Sequence, residues 1–308
     1  MRLKFDGSLE HEKDMDCMNI LVTGSSGQLG RALKELACGS RHRFVFTSPD
    51  ACEDGQRVDI TDRSSVMRAV SAGVDVIINC AAYTDVDAAQ DNPREAMDVN
   101  AGAAGILADA AREAGAVLVH ISTDYVFDGK ANTPYREDAE ASAVNVYGMT
   151  KLEGERAVVG SGCRHIILRT SWLYSGSGRN FFVSIAEKTA ELPRIRVVND
   201  QVGSPTYAGD LAYAIMHIIE NNLLEDRSGI YHYANQGLCS RYDFAKEICD
   251  ALGHLCTIEP CRTEELSSKA DRPHYSVLDC RKFQDTFGLE IPHWKDSLRL
   301  CVASLPDE

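Results

Sequence analysis

From Asn19 onward, short apolar runs alternate with stretches whose apolar residues recur at helical spacing, the pattern of βαβ units and a parallel sheet covered on both faces. The apolar runs predict strands at Asn19–Thr23, Arg43–Thr47, Val74–Cys80, Ala116–Ser122, His165–Thr170 and Gly229–Tyr233, with a short one at Arg57–Ile60. Between them, helices are expected over Gln28–Ala37, Ser64–Ala72, Asn100–Ala114 and Tyr147–Val159. The fold class is therefore α/β, a Rossmann-type doubly wound parallel sheet. After Thr170 the regularity falls away: a Gly/Ser loop at 175–178, a helix near Phe181–Thr189, and a loop through Gly203 and Pro205. Two helical stretches and a polar loop around Arg272 follow Ser240. A smaller, discontinuous lobe is expected there, with the Arg272 loop lying as a lid over the carboxyl edge of the sheet.

Composition narrows the partners. The chain has 308 residues, 44% hydrophobic and 25% charged, with a net charge of −14. Such a charge repels nucleic-acid phosphates and anionic membrane surfaces, leaving a small molecule as the expected ligand. If that ligand carries phosphate, backbone donors or a few placed cations must hold it against the overall field. The eleven cysteines include no C-x-x-C pair and no His/Cys set of zinc spacing, so they read as buried free thiols of a reducing cytoplasm. Cys256 and Cys261 are close neighbours in sequence but do not make a metal site. No run of about eighteen apolar residues exists to span a bilayer. Residues 1–17 are polar and mixed in charge, lack the apolar centre of a signal peptide, and are expected to form a disordered extension before a second start at Met18.

Ile20-Leu21-Val22-Thr23-Gly24-Ser25-Ser26-Gly27-Gln28-Leu29-Gly30 reads as a strand, a glycine-rich turn and the start of an amphipathic helix. Gly24 would allow the tight turn, Gly27 the approach of backbone N–H groups to a pyrophosphate, and Gly30 close packing of helix on strand. The spacing is G-x-x-G-x-x-G, and its place on the first strand favours a dinucleotide over a plain strand-to-helix connection. The acid that usually holds an adenosine 2′-hydroxyl is missing at the end of the second strand, where Phe46-Thr47-Ser48-Pro49 stands, so both NADPH and NADH stay open. Asp59, expected at the end of the short third strand, is placed to meet the adenine; its competing role, or that of Thr61, is to cap the helix beginning near Asp62.

Tyr147 and Lys151 stand four residues apart near a helix start, on one face and about one turn from each other. A free tyrosine has a pKa near 10. Making it an acid/base near neutrality takes about 3 to 4 kcal/mol of differential stabilisation, which a neighbouring lysine and a cationic nicotinamide could provide. The apolar run Val117–Ile121 ends abruptly in Ser122-Thr123-Asp124-Tyr125, at the edge where ligands bind in such sheets. Thr123 could donate to a substrate carbonyl while Tyr147 protonates the same oxygen. The competing reading is a Ser/Thr/Asp turn that merely closes the strand.

Taken together these motifs resemble the extended short-chain dehydrogenase/reductase superfamily, and within it the dTDP-4-dehydrorhamnose reductase family. The resemblance runs from Met18 to about Leu300 and rests on the glycine turn, Ala81-Ala82-Tyr83-Thr84 with Val86 and Asp87, Ser122 to Gly129, and Tyr147 with Lys151. Arg169-Thr170-Ser171-Trp172, Asp200-Gln201 with Gly203-Ser204-Pro205-Thr206, and Arg272-Pro273 with Ser276 complete it. It implies NADPH- or NADH-dependent reduction of the 4-keto group of dTDP-4-dehydro-L-rhamnose to dTDP-L-rhamnose, with Tyr147 as general acid, Lys151 on the nicotinamide ribose, and Thr123 on the keto oxygen. By the same resemblance Gly24, Gly27, Gln28, Leu29, Gly30, Asp59, Ile60, Ala81, Ala82, Tyr83 and Thr84 would line the dinucleotide. Val86, Asp124, Tyr125, Trp172 and Arg272 would meet the sugar nucleotide, Arg272 bringing positive charge to its diphosphate. Trp172 could equally be a packing aromatic, and Arg272 a plain surface residue.

The implied domains are a dinucleotide-binding unit of residues 18–170 and 205–235 and a substrate-binding lobe of 171–204 and 236–308. Some members of the family bind magnesium through glutamates at a dimer interface. No such glutamates can be matched here, so the sequence supports no metal and leaves magnesium and a homodimer open. Two other functions compete: a reductase or epimerase of another nucleotide sugar, which would use the same tyrosine, lysine and threonine, and a non-catalytic relative such as the regulatory subunit of methionine adenosyltransferase. The Thr170–Trp172 and Asp200–Thr206 stretches follow the reductases better than that subunit.

Overall fold

The computed structural model describes residues 17–49, 56–71 and 73–305; most of the polar leader, residues 1–16, and Ala72 lie outside them. The first half of the chain lays down β1 (Asn19–Thr23), α1 (Gln28–Ala37), β2 (Arg43–Ser48), β3 (Gln56–Arg57), α2 (Arg63–Val70) and β4 (Val76–Asn79). Then come α3 (Val86–Asp91), α4 (Pro93–Met97), α5 (Ala103–Ala114), β5 (Val117–Thr123), α6 (Val146–Gly160) and β6 (Arg164–Thr170). The second half holds β7 (Leu173–Tyr174), α7 (Phe181–Glu191), β8 (Arg194–Val198), β9 (Val202–Gly203), β10 (Thr206–Tyr207) and α8 (Ala208–Glu220). It ends with β11 (Gly229–His232), β12 (Cys239–Ser240), α9 (Arg241–Ala251), β13 (Thr257–Cys261), α10 (Arg281–Phe287) and α11 (Trp294–Ala303).

Seven strands form one sheet in the order β11-β6-β5-β4-β1-β2-β3, every neighbouring pair parallel. Burial on both faces explains the uninterrupted apolar strands. Ile20, Val22, Val76, Ile78, Val119 and Leu168 face one side, against Leu29 and Leu33 of α1, Leu211 and Ile215 of α8, and Phe283 of α10. Leu21, Ile77, Leu118 and Ile167 face the other, against Val66 of α2 and Leu107 of α5. The chain moves outward from β1 to β2 and β3, then returns to place β4 on the other side of β1. That reversal opens a crevice at the carboxyl ends of β1 and β4, where ligands bind in such sheets. A separate aromatic cluster of Tyr174, Phe182, Phe244 and Trp294 packs the elements of the second half together.

Differences from the sequence expectations have local causes. The short third strand ends at Arg57, not Ile60, because the Asp59 carboxylate turns the chain by accepting from Thr61 N at 2.9 Å and Thr61 Oγ1 at 2.6 Å. The expected helix start at Asn100 is a π-helical turn, Asp98–Gly102, ahead of α5. After Ser240 there are three α-helices among the described residues, not two. Not all thiols are buried: Cys17 and Cys38 are exposed. No helix among the described residues is long and apolar enough to cross a membrane.

Candidate active site

The crevice begins at Gly24. Its φ of +67° lies in the left-handed region, and a Cβ there would come within 2.5 Å of Ala81 N, so only glycine lets the turn press against the segment leaving β4. A Cβ on Gly30 would collide with Gly24 O, so this turn needs glycine at a second position. Gly27 opens α1 without any side-chain cap. The helix amino end therefore keeps backbone donors and positive dipole for an anion. Gln28 accepts from Ser175 Oγ at 3.1 Å, tying the turn to the loop after β7. The side chains of Leu29 and Ile60 are core residues, on opposite faces of the sheet, which leaves their backbones for a ligand. Asp59 is exposed, its carboxyl held below the usual range chiefly by the Thr61 hydroxyl. Asp62, not Asp59 or Thr61, caps α2, accepting from Ser64 N and Ser65 N.

Ala81, Ala82, Tyr83 and Thr84 form the segment after β4, partly buried except for the exposed Thr84. Two buried asparagines hold it. Asn79 Oδ1 accepts from Thr23 Oγ1 at 2.7 Å and Ala81 N at 3.2 Å, joining the ends of β1 and β4. Asn100, on the π-helical turn, accepts from Tyr83 N at 2.8 Å and donates to Tyr83 O and Thr150 Oγ1, both at 3.0 Å. A single amide thus fixes the segment to α6. Gly154 of α6 is needed for this approach, because a Cβ there would collide with Asn100 O. Such π-turns are frequent at functional sites.

Helix α6 starts where Asn145 accepts from Gly148 N at 2.8 Å, while the same side chain donates to Asp271 O at 2.7 Å. A Cβ on Gly148 would run into Tyr125 O. The helix start is thereby pressed against the end of β5, which puts the Tyr147 hydroxyl close enough to Thr123 to feel its hydroxyl. The Tyr147 and Tyr125 rings meet edge to face at 5.7 Å. Lys151 is buried and donates from Nζ to Ile121 O at 2.6 Å. Burial draws its pKa down to about 8, against the opposing pull of Glu155.

The expected depression of the Tyr147 pKa by Lys151 is not seen in this arrangement. Burial pushes the Tyr147 hydroxyl up, and the opposing influence is the Thr123 hydroxyl. The lysine ammonium is spent on a strand carbonyl. Below it, Glu155 accepts from Ser122 Oγ at 2.5 Å and takes Arg169 in a two-pronged ion pair at 2.9 and 2.7 Å.

Beyond Thr123, the buried Asp124 accepts from Thr123 Oγ1 at 3.0 Å and Ser171 Oγ at 2.9 Å, with the Ser276 hydroxyl near enough to oppose the upward push of burial on its pKa. Trp172 has a φ of +47°, a costly conformation for a bulky residue and one that gathers at ligand sites. Its indole lies so close that a Cβ on Gly203 would be 2.5 Å from Cε2. Over the other side of the ring system sits Arg241, its guanidinium carbon 3.7 Å from the Trp172 ring centroid. The Tyr125 hydroxyl lies close enough to Arg241 to favour its charge. Val86 opens α3 and is partly buried.

Arg272 was expected to be available to a diphosphate; instead its guanidinium pairs with Asp87 at 3.0 Å and contacts Ser268. The pair fastens the 268–272 loop to α3, together with Asp87 accepting from Ala270 N at 3.1 Å. Where this loop continues, a Cβ on Gly129 would come within 2.5 Å of Pro273.

The structure therefore brings Thr123, Asp124, Tyr125, Tyr147, Lys151 and Trp172 to one place, while Asp59 stays at the outer end of the crevice beyond β2. Sequence reasoning missed Asn79, Asn100, Asn145, Glu155 and Arg241. Only Asn145, two residues before Tyr147, carried a readable signal, as a residue type that caps helices.

The family described as RmlD substrate binding domain matches residues 18–306. The dTDP-4-dehydrorhamnose reductase of Mycolicibacterium smegmatis is 39% identical over 295 residues, 95% of this chain and 87% of that protein. The crystal structure of a dTDP-4-dehydrorhamnose reductase from Clostridium acetobutylicum superposes with a TM-score of 0.86 at 38% identity, covering 93% of this chain and 99% of that one. The Bacillus anthracis reductase, solved in complex with NADP, gives 0.87 at 34% identity, covering 94% and 100%. With the glycine turn, the Tyr147–Lys151 pair and the Thr123 edge in place, these matches mean that the chain belongs to the dTDP-4-dehydrorhamnose reductase family.

Proposed function

We propose that this chain is an oxidoreductase that reduces the 4-keto group of dTDP-4-dehydro-L-rhamnose to dTDP-L-rhamnose, with NADPH or NADH as reductant and Tyr147 as proton donor. The observation that carries the reading is the packing of the Tyr147 helix start on the end of β5, where a Cβ on Gly148 would meet Tyr125 O and the Tyr147 and Tyr125 rings stand 5.7 Å apart, beside the crevice that Gly24 opens. The residues fit a dinucleotide: the Gly24–Ala81 contact leaves no room for a Cβ, and α1 begins without a side-chain cap. Gly24, Gly27, Gln28, Leu29 and Gly30 would hold its pyrophosphate, Asp59 and Ile60 its adenosine, and Ala81 to Thr84 with Lys151 its nicotinamide half. A reduced nicotinamide, when bound, supplies hydride.

The protein's own part is to hold the keto oxygen and give it a proton. Thr123 and Tyr147, neighbours at this edge, can both turn to one carbonyl oxygen. Burial keeps the Tyr147 hydroxyl protonated; giving that proton up near neutrality requires its pKa to be lowered, a part that falls to Lys151 and the bound nicotinamide. Val86, Asp124, Tyr125 and Trp172 would line the sugar. The division into a dinucleotide unit (18–170 and 205–235) and a substrate lobe (171–204 and 236–308) belongs to this proposal, with Phe283 and Phe287 of α10 reaching back onto the sheet. We further read the chain as cytoplasmic, without nucleic-acid or membrane partners. Sedimentation would decide whether it forms a homodimer, and a chelator control whether magnesium matters.

Tyr147→Phe tests the central role. It should keep dinucleotide binding while turnover falls by roughly two orders of magnitude or more. Unchanged turnover would remove Tyr147 from the chemistry.

A further inference from the structure

A protein of net charge −14 that takes a nucleotide sugar must oppose the diphosphate with local cations, and the charge expected to do so, Arg272, is paired with Asp87. Arg241, the first residue of α9, has no carboxylate partner within 4.0 Å among the described residues. Its guanidinium is held by aromatic faces instead, 3.7 Å from the Trp172 centroid and 4.9 Å from that of Phe181, with the Tyr125 hydroxyl nearby. Asp124 is the acid nearby that acts on it, and its oxygens already accept from the hydroxyls of Thr123 and Ser171. Stacking fixes the plane of a guanidinium and leaves its edge N–H groups free to donate in a fork.

We infer that Arg241 is the residue that receives the diphosphate of the sugar nucleotide. The inference rests on the nucleotide-sugar reading above and gives the site the cation that reading lacks. The spacing agrees. In a 4-keto hexose the diphosphate is carried on C1, across the sugar ring from the reacting carbonyl, and Arg241 reaches the site through Tyr125, whose ring stands 5.7 Å from that of Tyr147. The hydroxyl that gives the proton and the cation that holds the phosphates are thus separated by one aromatic side chain. Burial and the neighbouring Arg272 both disfavour the charge on Arg241, a cost that an anionic ligand would relieve. The same stack braces Trp172 in its left-handed conformation, so binding the diphosphate would also order the wall of the sugar pocket.

Competition binding with dTDP and with thymidine, which lacks the phosphates, tests this on Arg241→Gln and Arg241→Lys, with NADPH affinity as the check on folding. Arg241→Gln should weaken dTDP by about 10- to 100-fold, the worth of charge-assisted hydrogen bonds, and leave thymidine and NADPH close to wild type. Arg241→Lys should lose less of the dTDP affinity. If Arg241→Gln fails to bind NADPH, the lysine variant decides alone: a selective loss for dTDP supports the inference. Equal losses for dTDP and thymidine would make Arg241 a brace for Trp172 only, and no loss for either would remove it from the site; both overturn the inference. Wild-type protein that binds dTDP but does not reduce the keto sugar would instead count against the proposed reaction.

Discussion

Two arginines near α6, Arg169 buried and Arg241 partly exposed, are treated in opposite ways. Arg169 lies beneath Lys151, in a two-pronged pair with Glu155, and stacks over Phe127 at 5.1 Å. Its side chain and that of Glu155 are 4% and 3% exposed, and Ser122 and Lys151 complete the surroundings. Arg241, at the junction of β5, Trp172 and α9, is stacked on aromatic rings and forms no ion pair within 4.0 Å among the described residues. A buried charge with a matched partner has its desolvation answered by the fold itself, so losing either member leaves an uncompensated ion. One that is held in place without a partner is answered only when something anionic arrives. The first arrangement fixes where α6 sits; the second leaves binding free energy to be claimed by a ligand.

The largest expected effect that sharpens this contrast is on stability. Glu155→Gln strands Arg169 and should lower unfolding free energy by about 3 to 5 kcal/mol, measured by urea denaturation, whereas Arg241→Gln should be far milder. Equal costs for the two variants would erase the distinction. A second effect comes from Lys151, whose folded pKa of about 8 lies below its usual 10.5. Between those values the unfolded chain binds more protons than the folded one, so the lysine makes stability rise with pH through that window. Lys151→Met should flatten the rise in melts taken from pH 7 to 10; an unaltered slope would mean that the ammonium is not desolvated in the folded protein. The smallest effect is Asn145→Ala, which removes the α6 cap and should cost about 1 kcal/mol, with turnover reduced because Tyr147 sits in the first turn. A cost in stability without any effect on turnover would separate the cap from the placement of Tyr147.

The glycine turn and the Tyr147–Lys151 pair were legible in the sequence because each is local: residues a few positions apart do one job, and a positive φ or a helical turn dictates their types. The strands were legible for the same reason, since burial on both faces writes an unbroken apolar run. Arg241 and Glu155 were not, because their meaning depends on chain that is distant in sequence. Arg241 acquires its role from Trp172 and Tyr125, and Glu155 from Arg169 on the next strand. Asn100 was read only as the first residue of a helix, whereas tertiary contacts with Tyr83 and Thr150 make it a clamp. Arg272 was singled out as a charge on a loop expected to act as a lid, while its partner Asp87 was in a stretch read only for its resemblance. Side-chain pairing across 185 residues leaves no local mark.

The measurement that bears most directly on the account is oxidation of NADPH and of NADH, followed at the nicotinamide absorbance, with enzymatically generated dTDP-4-dehydro-L-rhamnose and identification of the product. The account predicts substrate-dependent oxidation that yields dTDP-L-rhamnose and ranks the two dinucleotides. Absence of oxidation by protein that still binds the dinucleotide would contradict it and turn attention to another nucleotide sugar.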